Sequence, residues 1–177
     1  MTCPAPIAFL DVAYGPSAAG IGCLLTDTWT TATAILEISR CLRYSPVEYL
    51  PGQFYKRELP VLLSVIEGLS PRPQMVVIDG YVWLGQNGAP GLGGYLFAAL
   101  DSGTPVVGIA KSRYRQDTWS ERVYRGGSHR PLYVTAAGFE TTKAAGLVAS
   151  MHGKYRLPTL LRQVDRLARA AVARGCR

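Results

Sequence analysis

Short apolar runs separated by clusters of Gly, Pro, Asp and Ser set the pattern of this chain, and each run predicts an element. Residues 6–13 (PIAFLDVA) read as a buried strand carrying Asp11. Residues 18–26 (AAGIGCLLT) and 30–39 read as two more strands. The links Tyr14-Gly15-Pro16-Ser17 and Asp27-Thr28-Trp29 are short and turn-rich, so the three strands form an antiparallel meander. Residues 41–52 (CLRYSPVEYLPG) read as a loop. Phe54, Leu59, Leu62, Leu63 and Ile66 then fall mostly on one helical face, with Pro60 marking either a start or a kink. Met75–Ile78 is a continuous apolar run, the mark of a central strand, and leads into Asp79-Gly80. A glycine-rich loop (85–94), a helix to about Leu100 and a strand Val106–Ile109 ending at Ala110-Lys111 follow. Residues 119–136 read as a hairpin turning at Gly126-Gly127, and 140–152 and 159–173 as two helices.

A meander followed by alternating helices and strands implies an α/β fold, a mixed central β-sheet flanked by α-helices. The ribonuclease-H-like architecture has this order. The length of 177 residues fits a single domain over 1–177. Lys and Arg number 19 against 12 Asp and Glu, a net charge of +7, which draws polyanions and favours a nucleic-acid partner over a merely soluble basic surface. Cys3, Cys23, Cys41 and Cys176 form no CxxC pair and no zinc-ligand spacing with His129 or His152, so reduced thiols are expected. With no signal core and no membrane-length apolar run, these thiols point to a cytoplasmic protein without a membrane partner, expected as a monomer.

Against this background the acids stand out. Asp11 lies inside the first strand and Asp79 ends the fourth. A carboxylate in an apolar strand is costly unless paired or bound to a cation, and two on neighbouring strands repel unless a cation lies between them. Mg²⁺ suits such a pair, with Mn²⁺ as an alternative. Either aspartate alone would read as a turn cap. Glu58, beside Lys56 and Arg57, reads on its own as a solvated helix residue, and Asp165 among Arg162, Arg166 and Arg169 as a surface ion-pair partner.

The segment Tyr49-Leu-Pro-Gly-Gln-Phe-Tyr-Lys-Arg-Glu58-Leu-Pro60 resembles the endonuclease V motif that joins a strand-separating wedge to a catalytic helix. Asp11 in FLDVAY, Asp79-Gly80, Thr104 to Arg113 (TPVVGIAKSR), Pro131–Thr135 and Tyr155–Pro158 with Arg162 and Asp165 match further motifs of that family in order. The resemblance implies catalytic Asp11, Glu58, Asp79 and Lys111, and a metal site of Asp11, Asp79 and Glu58 completed at the Asp165 position. It also implies that nucleic acid meets Tyr49 (the wedge), Leu50, Pro51, Gly52, Phe54, Gly80, Gly91, Leu92, Lys111, Ser112 and Arg113. The implied activity is metal-dependent hydrolysis of a phosphodiester near a deaminated purine, hypoxanthine above all, in DNA or RNA, a repair function.

Three departures accompany the match. Five residues precede the first strand where the family has a longer leader. The family's His-Pro-Arg element after Asp-Gly is replaced by Gly85-Gln-Asn-Gly-Ala-Pro90, which predicts weaker base discrimination from a more mobile segment. Its late Gly-His is Gly138-Phe139. The alternatives are a nuclease of the same fold for another lesion, a flap or unmodified single strands, and a nucleic-acid-binding protein without catalysis. Gly88-Ala-Pro-Gly91-Leu-Gly93-Gly94 also invites a dinucleotide-loop reading, but its spacing is wrong and no strand-end acid follows about 20 residues on. It reads better as a loop that lets backbone approach a base or phosphate. Lys111, Arg113 and Arg115 with Tyr114, joined by Arg122, Arg125, His129 and Arg130, read as a phosphate-contacting footprint or as solvated loops.

Overall fold

A computed structural model describes residues 6–43, 55–100 and 103–176. Strands β1 (Ile7–Tyr14), β2 (Ala18–Thr26) and β3 (Leu36–Arg43) form the meander. Helix α1 (Tyr55–Glu67), strand β4 (Met75–Asp79), a two-stranded hairpin β5 (Trp83–Leu84) and β6 (Ala89–Pro90), helix α2 (Leu92–Ala99) and strand β7 (Val106–Ala110) follow. The chain closes with β8 (Glu121–Val123), β9 (Leu132–Ala137), α3 (Thr141–Ser150) and α4 (Thr159–Arg174). The seven-stranded mixed sheet runs β3-β2-β1-β4-β7-β9-β8. Strands β1, β4 and β7 are parallel at its centre, with Leu10 beside Ile78 and Asp79 beside Ile109.

The two-residue period of a strand sorts side chains into two cores. Ile7, Phe9, Val77, Val107 and Ile109 pack with Ala144, Val148, Leu160 and Val164 under α3 and α4. Ala8, Leu10, Val76, Ile78 and Val106 pack with Leu62, Val65, Ile66 and Leu96 under α1 and α2. The same alternation continues to the strand ends. Asp11 follows Ile7 and Phe9, Asp79 follows Val77, and Lys111 follows Val107 and Ile109, all in phase with the α4 side.

Helix α4 lies unusually close to the sheet because β2 presents glycines beneath it. A Cβ on Gly20 would sit 2.1 Å from the Ala168 carbonyl oxygen, and one on Gly22 2.4 Å from that of Val164. Gly22 is the antiparallel partner of Asp11. The approach that these glycines permit therefore carries the Val164–Ala168 turn, with Asp165 in it, over Asp11.

Several expectations shift. The third strand is Leu36–Arg43 rather than 30–39, because pairing with β2 begins at Leu25 opposite Leu36 and the Thr-rich stretch before it stays outside the ladder. Trp29, read as a linker residue, is buried edge-on against Phe9, ring centroids 5.6 Å apart. Helix α1 begins at Tyr55 and runs through Pro60. The late hairpin joins Val123 to Leu132 across residues 124–131 rather than turning tightly at Gly126-Gly127. Cys41 and Cys176 are not reduced. They form a disulfide with Cα atoms 5.0 Å apart across 135 residues of sequence, because α4 packs along β2 and β3 and delivers its end to the edge strand. Cysteine usage therefore no longer argues for a reducing compartment. Cys23 is free and buried, and burial pushes its thiol up to about 12. No helix among the described residues is long and apolar enough to cross a membrane.

Candidate active site

The carboxyl ends of β1 and β4 meet the first turn of α1 around a cavity of about 230 Å³ lined by Leu10, Asp11, Val12, Glu58, Leu62, Ile78, Asp79 and Leu92. Three of the four predicted acids thus share one cavity. Glu58 is the main correction to the reading from neighbours. It is 5% exposed despite Lys56 and Arg57, because α1 turns that side inward with Leu62 and Val65. Burial, the charges of Asp11 and Asp79, and a hydrogen bond from Tyr14 that partly opposes them leave its carboxyl raised to about 8. Arg57, half-buried, lies across the Tyr14 ring, its guanidinium 4.7 Å from the centroid. Asp11 is raised to about 7, first by burial and then by Asp79, with Lys111 pulling the other way and Asp165 adding to the rise.

Lys111 donates a hydrogen bond to the Asp79 carboxylate. Burial of the ammonium works against its charge, but Asp79, Asp11 and Asp165 outweigh burial and hold it above the usual lysine value. A second small cavity joins Asp11, Asp79 and Lys111 to Leu157, Leu161 and Val164 of the loop and helix above. Asp165 lies within electrostatic reach of Asp11 but outside both cavities, its carboxylate 3.0 Å from Arg169 Nε. Both readings of this residue are therefore visible, the ion pair directly and the approach to the site by charge. No group of three His, Cys, Asp or Glu among the described residues is gathered as a ready-made metal cage. Unscreened carboxylates repel, and Lys111 holds Asp79.

A third cavity of about 270 Å³ opens from Asp79 and Gly80 and is walled by Tyr55, Tyr81, Leu84, Pro90, Gly91, Leu92 and Tyr114. Gly80, Gly91 and Leu92 thus line this cavity. The glycines at the start of α2 also have a packing role. A Cβ on Gly91 would meet the Tyr81 carbonyl oxygen at 2.5 Å, and one on Gly94 that of Val82 at 2.8 Å. They seat α2 on its own preceding loop, which leaves neither the dinucleotide reading nor close ligand approach needed to explain them. Tyr81 ties the segment after β7 to the cavity. Its hydroxyl donates to the Ser112 carbonyl at 3.0 Å and accepts from the Tyr114 N–H at 3.0 Å. Tyr114 thus enters the wall, while Ser112 and Arg113 do not line the cavity. Tyr49, Leu50, Pro51, Gly52 and Phe54 lie outside the described residues.

Arg125 is not part of a surface footprint. It is buried and donates to the carbonyls of Ala149, Met151, Gly153, Tyr155 and Arg156, shaping the loop between α3 and α4. That loop delivers Arg156, whose guanidinium donates to the carbonyls of Lys111 and of Pro131. His152 shares a hydrogen bond with Thr159 Oγ1, 3.0 Å away, at the start of α4, and its backbone carbonyl accepts from the Thr159 N–H at 2.9 Å. Tyr14, Tyr81, Gly22 and Arg156 were not singled out from the sequence. Tyr14, three residues beyond Asp11 at a strand end, carried the clearest signal.

Comparison with known proteins agrees with this geometry. The endonuclease V family model matches residues 3–166. An endonuclease V of Rhodospirillum centenum is 29% identical over 157 residues, which cover 77% of this chain and 64% of that protein, just under two thirds of its length. The structure of human ENDOV superposes with a TM-score of 0.77 at 21% identity, covering 97% of this chain and 85% of that one. A Ciona intestinalis endonuclease V, solved with a 24mer DNA containing an inosine followed by a ribo-adenosine, gives 0.76 at 16% identity, covering 96% and 87%. The fold is accordingly ribonuclease-H-like, and the chain belongs to the endonuclease V family.

Proposed function

We propose that this chain is a divalent-metal-dependent endonuclease that hydrolyses a phosphodiester near a deaminated purine, hypoxanthine first, in DNA or RNA, as a step of nucleic-acid repair. The observation that carries the reading is the meeting of Asp11, Glu58, Asp79 and Lys111 at one end of the sheet, beside a cavity with aromatic and glycine walls. The inosine-containing DNA in the Ciona structure supports the choice of lesion.

The donor set fits a hard cation. Glu58 is a buried oxygen donor and Asp11 and Asp79 are half-buried ones; burial first and mutual repulsion second raise the pKa of Asp11 and Glu58, and a cation relieves that strain. These three would hold Mg²⁺ or Mn²⁺, with Asp165 completing the negative field. When bound, the ion would lower the pKa of a water and stabilise charge on the phosphate. The chain's own residues do the rest. Tyr14 orients Glu58, and Leu10, Leu62 and Ile78 exclude bulk water from the acids. The Lys111 ammonium, held at the strand end, offers positive charge to the scissile phosphate. An extruded base would enter the cavity beyond Gly80, a recognition mode that depends on a tight fit and edge hydrogen bonds.

The test is a cleavage panel of hypoxanthine, xanthine, uracil, abasic and undamaged strands in DNA and RNA, with Mg²⁺, with Mn²⁺ and with chelator. Asp11→Asn and Asp79→Asn should each abolish cutting while strand binding, which rests on Lys and Arg, persists. Near wild-type cutting by either variant in Mg²⁺ refutes the site. The Gly85–Pro90 tip offers no cation to the substrate, which favours as second reading a nuclease of other lesions, flaps or single strands. Equal cutting of hypoxanthine and undamaged strands selects it.

A further inference from the structure

The β5–β6 hairpin supplies Leu84 and Pro90 to the wall of the cavity beside Asp79. Each of its strands has two residues, Trp83 opposite Pro90 and Leu84 opposite Ala89. A hairpin this small has no stability of its own in water. It is held from outside. At its root the Trp83 indole N–H donates to the Ala136 carbonyl at 2.9 Å. At its tip Trp119, from the segment between β7 and β8, donates its indole N–H to the Gln86 carbonyl at 3.3 Å. The Trp119 ring also covers Gly88 so closely that a Cβ there would lie 2.7 Å from Cζ2.

Trp119 is itself mounted. The buried Asp117 carboxylate accepts from the Trp119 N–H at 3.0 Å and from the Ser120 N–H at 3.2 Å. Trp119 nonetheless remains 46% exposed, so it is not there to fill the core. Its ring also meets that of Trp83 of the hairpin itself, centroids 6.4 Å apart, so it holds the hairpin at a second point.

We propose that Trp119 is a positioning residue that sets base selectivity, clamping the β5–β6 hairpin so that Leu84 and Pro90 form a fixed wall of the base cavity. This role rests on the reading of that cavity as the seat of the extruded base. A loose wall would still admit the right base but would no longer reject the wrong one by fit.

The experiment compares the full chain with Trp119→Ala, Trp119→Phe and Gly88→Asn. Asparagine tolerates the positive φ of Gly88, +62°, but its Cβ displaces the indole while leaving it in the molecule. Hydrogen exchange is read over residues 84–90, and kcat and KM on matched hypoxanthine and adenine single strands. Trp119→Ala and Gly88→Asn should both lose exchange protection in the hairpin. Both should lose discrimination by about tenfold or more, the scale on which a hydrophobic pocket distinguishes close analogues. The loss should lie chiefly in a lower KM for the adenine strand, with that of the hypoxanthine strand little changed. Trp119→Phe, which keeps a ring over Gly88, should restore most of both. A selective wild type whose discrimination survives Trp119→Ala overturns this role alone. Equal losses on both strands in Trp119→Ala with none in Gly88→Asn make Trp119 a stacking platform and also overturn it. A wild type with no base preference overturns the cavity reading and this role with it.

Discussion

Burial first, and then the neighbouring carboxylates, hold Asp11 and Glu58 at pKa values of about 7 and about 8 against ordinary values of 3.8 and 4.5. In the metal-free protein the folded state binds more protons than the unfolded state between those limits, so stability must fall as pH rises from about 4 to about 8. The contribution is fully present below the unfolded values and is lost by the time pH passes the folded ones. In chelator, the melting temperature should therefore be lower at pH 8 than at pH 5.5. Glu58→Gln should raise it at pH 8 and flatten the profile, with each kcal/mol worth about 2–4 °C at this chain length. Adding Mg²⁺ at pH 8 should stabilise the wild type and not the double variant Asp11→Asn, Glu58→Gln. A flat metal-free profile would mean that these carboxyls are better solvated than the structure implies. At the same scale, Lys111→Ala should lower turnover by about 10²–10³ with little loss of strand affinity, as expected for a group acting on developing charge. A loss of affinity at constant kcat, seen in single-turnover kinetics, would reduce Lys111 to an ordinary phosphate contact. Legibility at this scale was uneven. Asp11 and Asp79 were readable because an acid in an apolar strand is anomalous. Glu58 was readable only through the endonuclease V resemblance, because its neighbours in sequence are charged and its burial depends on which face of α1 meets the sheet.

At the level of elements, the site depends on how near α4 comes to β2. Gly22 opposes Asp11 and lies under the turn that bears Asp165. Gly22→Ala would place a methyl against the Val164 carbonyl, backbone that cannot turn aside. The expected cost is about 1–3 kcal/mol of stability, the usual range for overpacking, measured by urea unfolding. Activity should fall further than unfolding at the assay temperature explains, since Asp165 moves away from Asp11. Gly146→Ala, where the added Cβ meets nothing, is the control. If both variants behave alike, the closeness of α4 is unimportant to the site. The glycines of β2 looked like ordinary strand residues in the sequence, because a helix packed across a sheet leaves no local pattern. The third strand was displaced for a related reason. The Thr-Ala-Thr-Ala stretch before it has strand-forming side chains, while the actual ladder is fixed by register with β2. The hairpin at 83–90 was hidden within a glycine-rich stretch and depends on Trp83 and Trp119, partners from elsewhere in the chain.

Across the whole molecule, the mixed sheet with helices on both its faces followed from the apolar runs, since Ile7–Leu10, Met75–Ile78 and Val106–Ile109 have the apolar character of strands covered on both faces. The join between Cys41 and Cys176 did not, because four cysteines permit several pairings and spacing does not choose among them. That join has a mechanical consequence. Pulled from outside the two cysteines, the chain behaves as a ring: the segment between them, with Glu58, Asp79 and Lys111, bears no tension, while β1 and β2, with Asp11, lie outside the ring and take the load. Only the residues outside it can be straightened by force. In an optical trap, reduction of the unfolded chain should release about 450–490 Å of additional contour, at 3.3–3.6 Å for each of the 135 residues enclosed. A full-length extension without reductant would mean that the ring is open. While it is closed, a motor that threads the polypeptide from either end meets a loop to be swallowed double rather than a single strand.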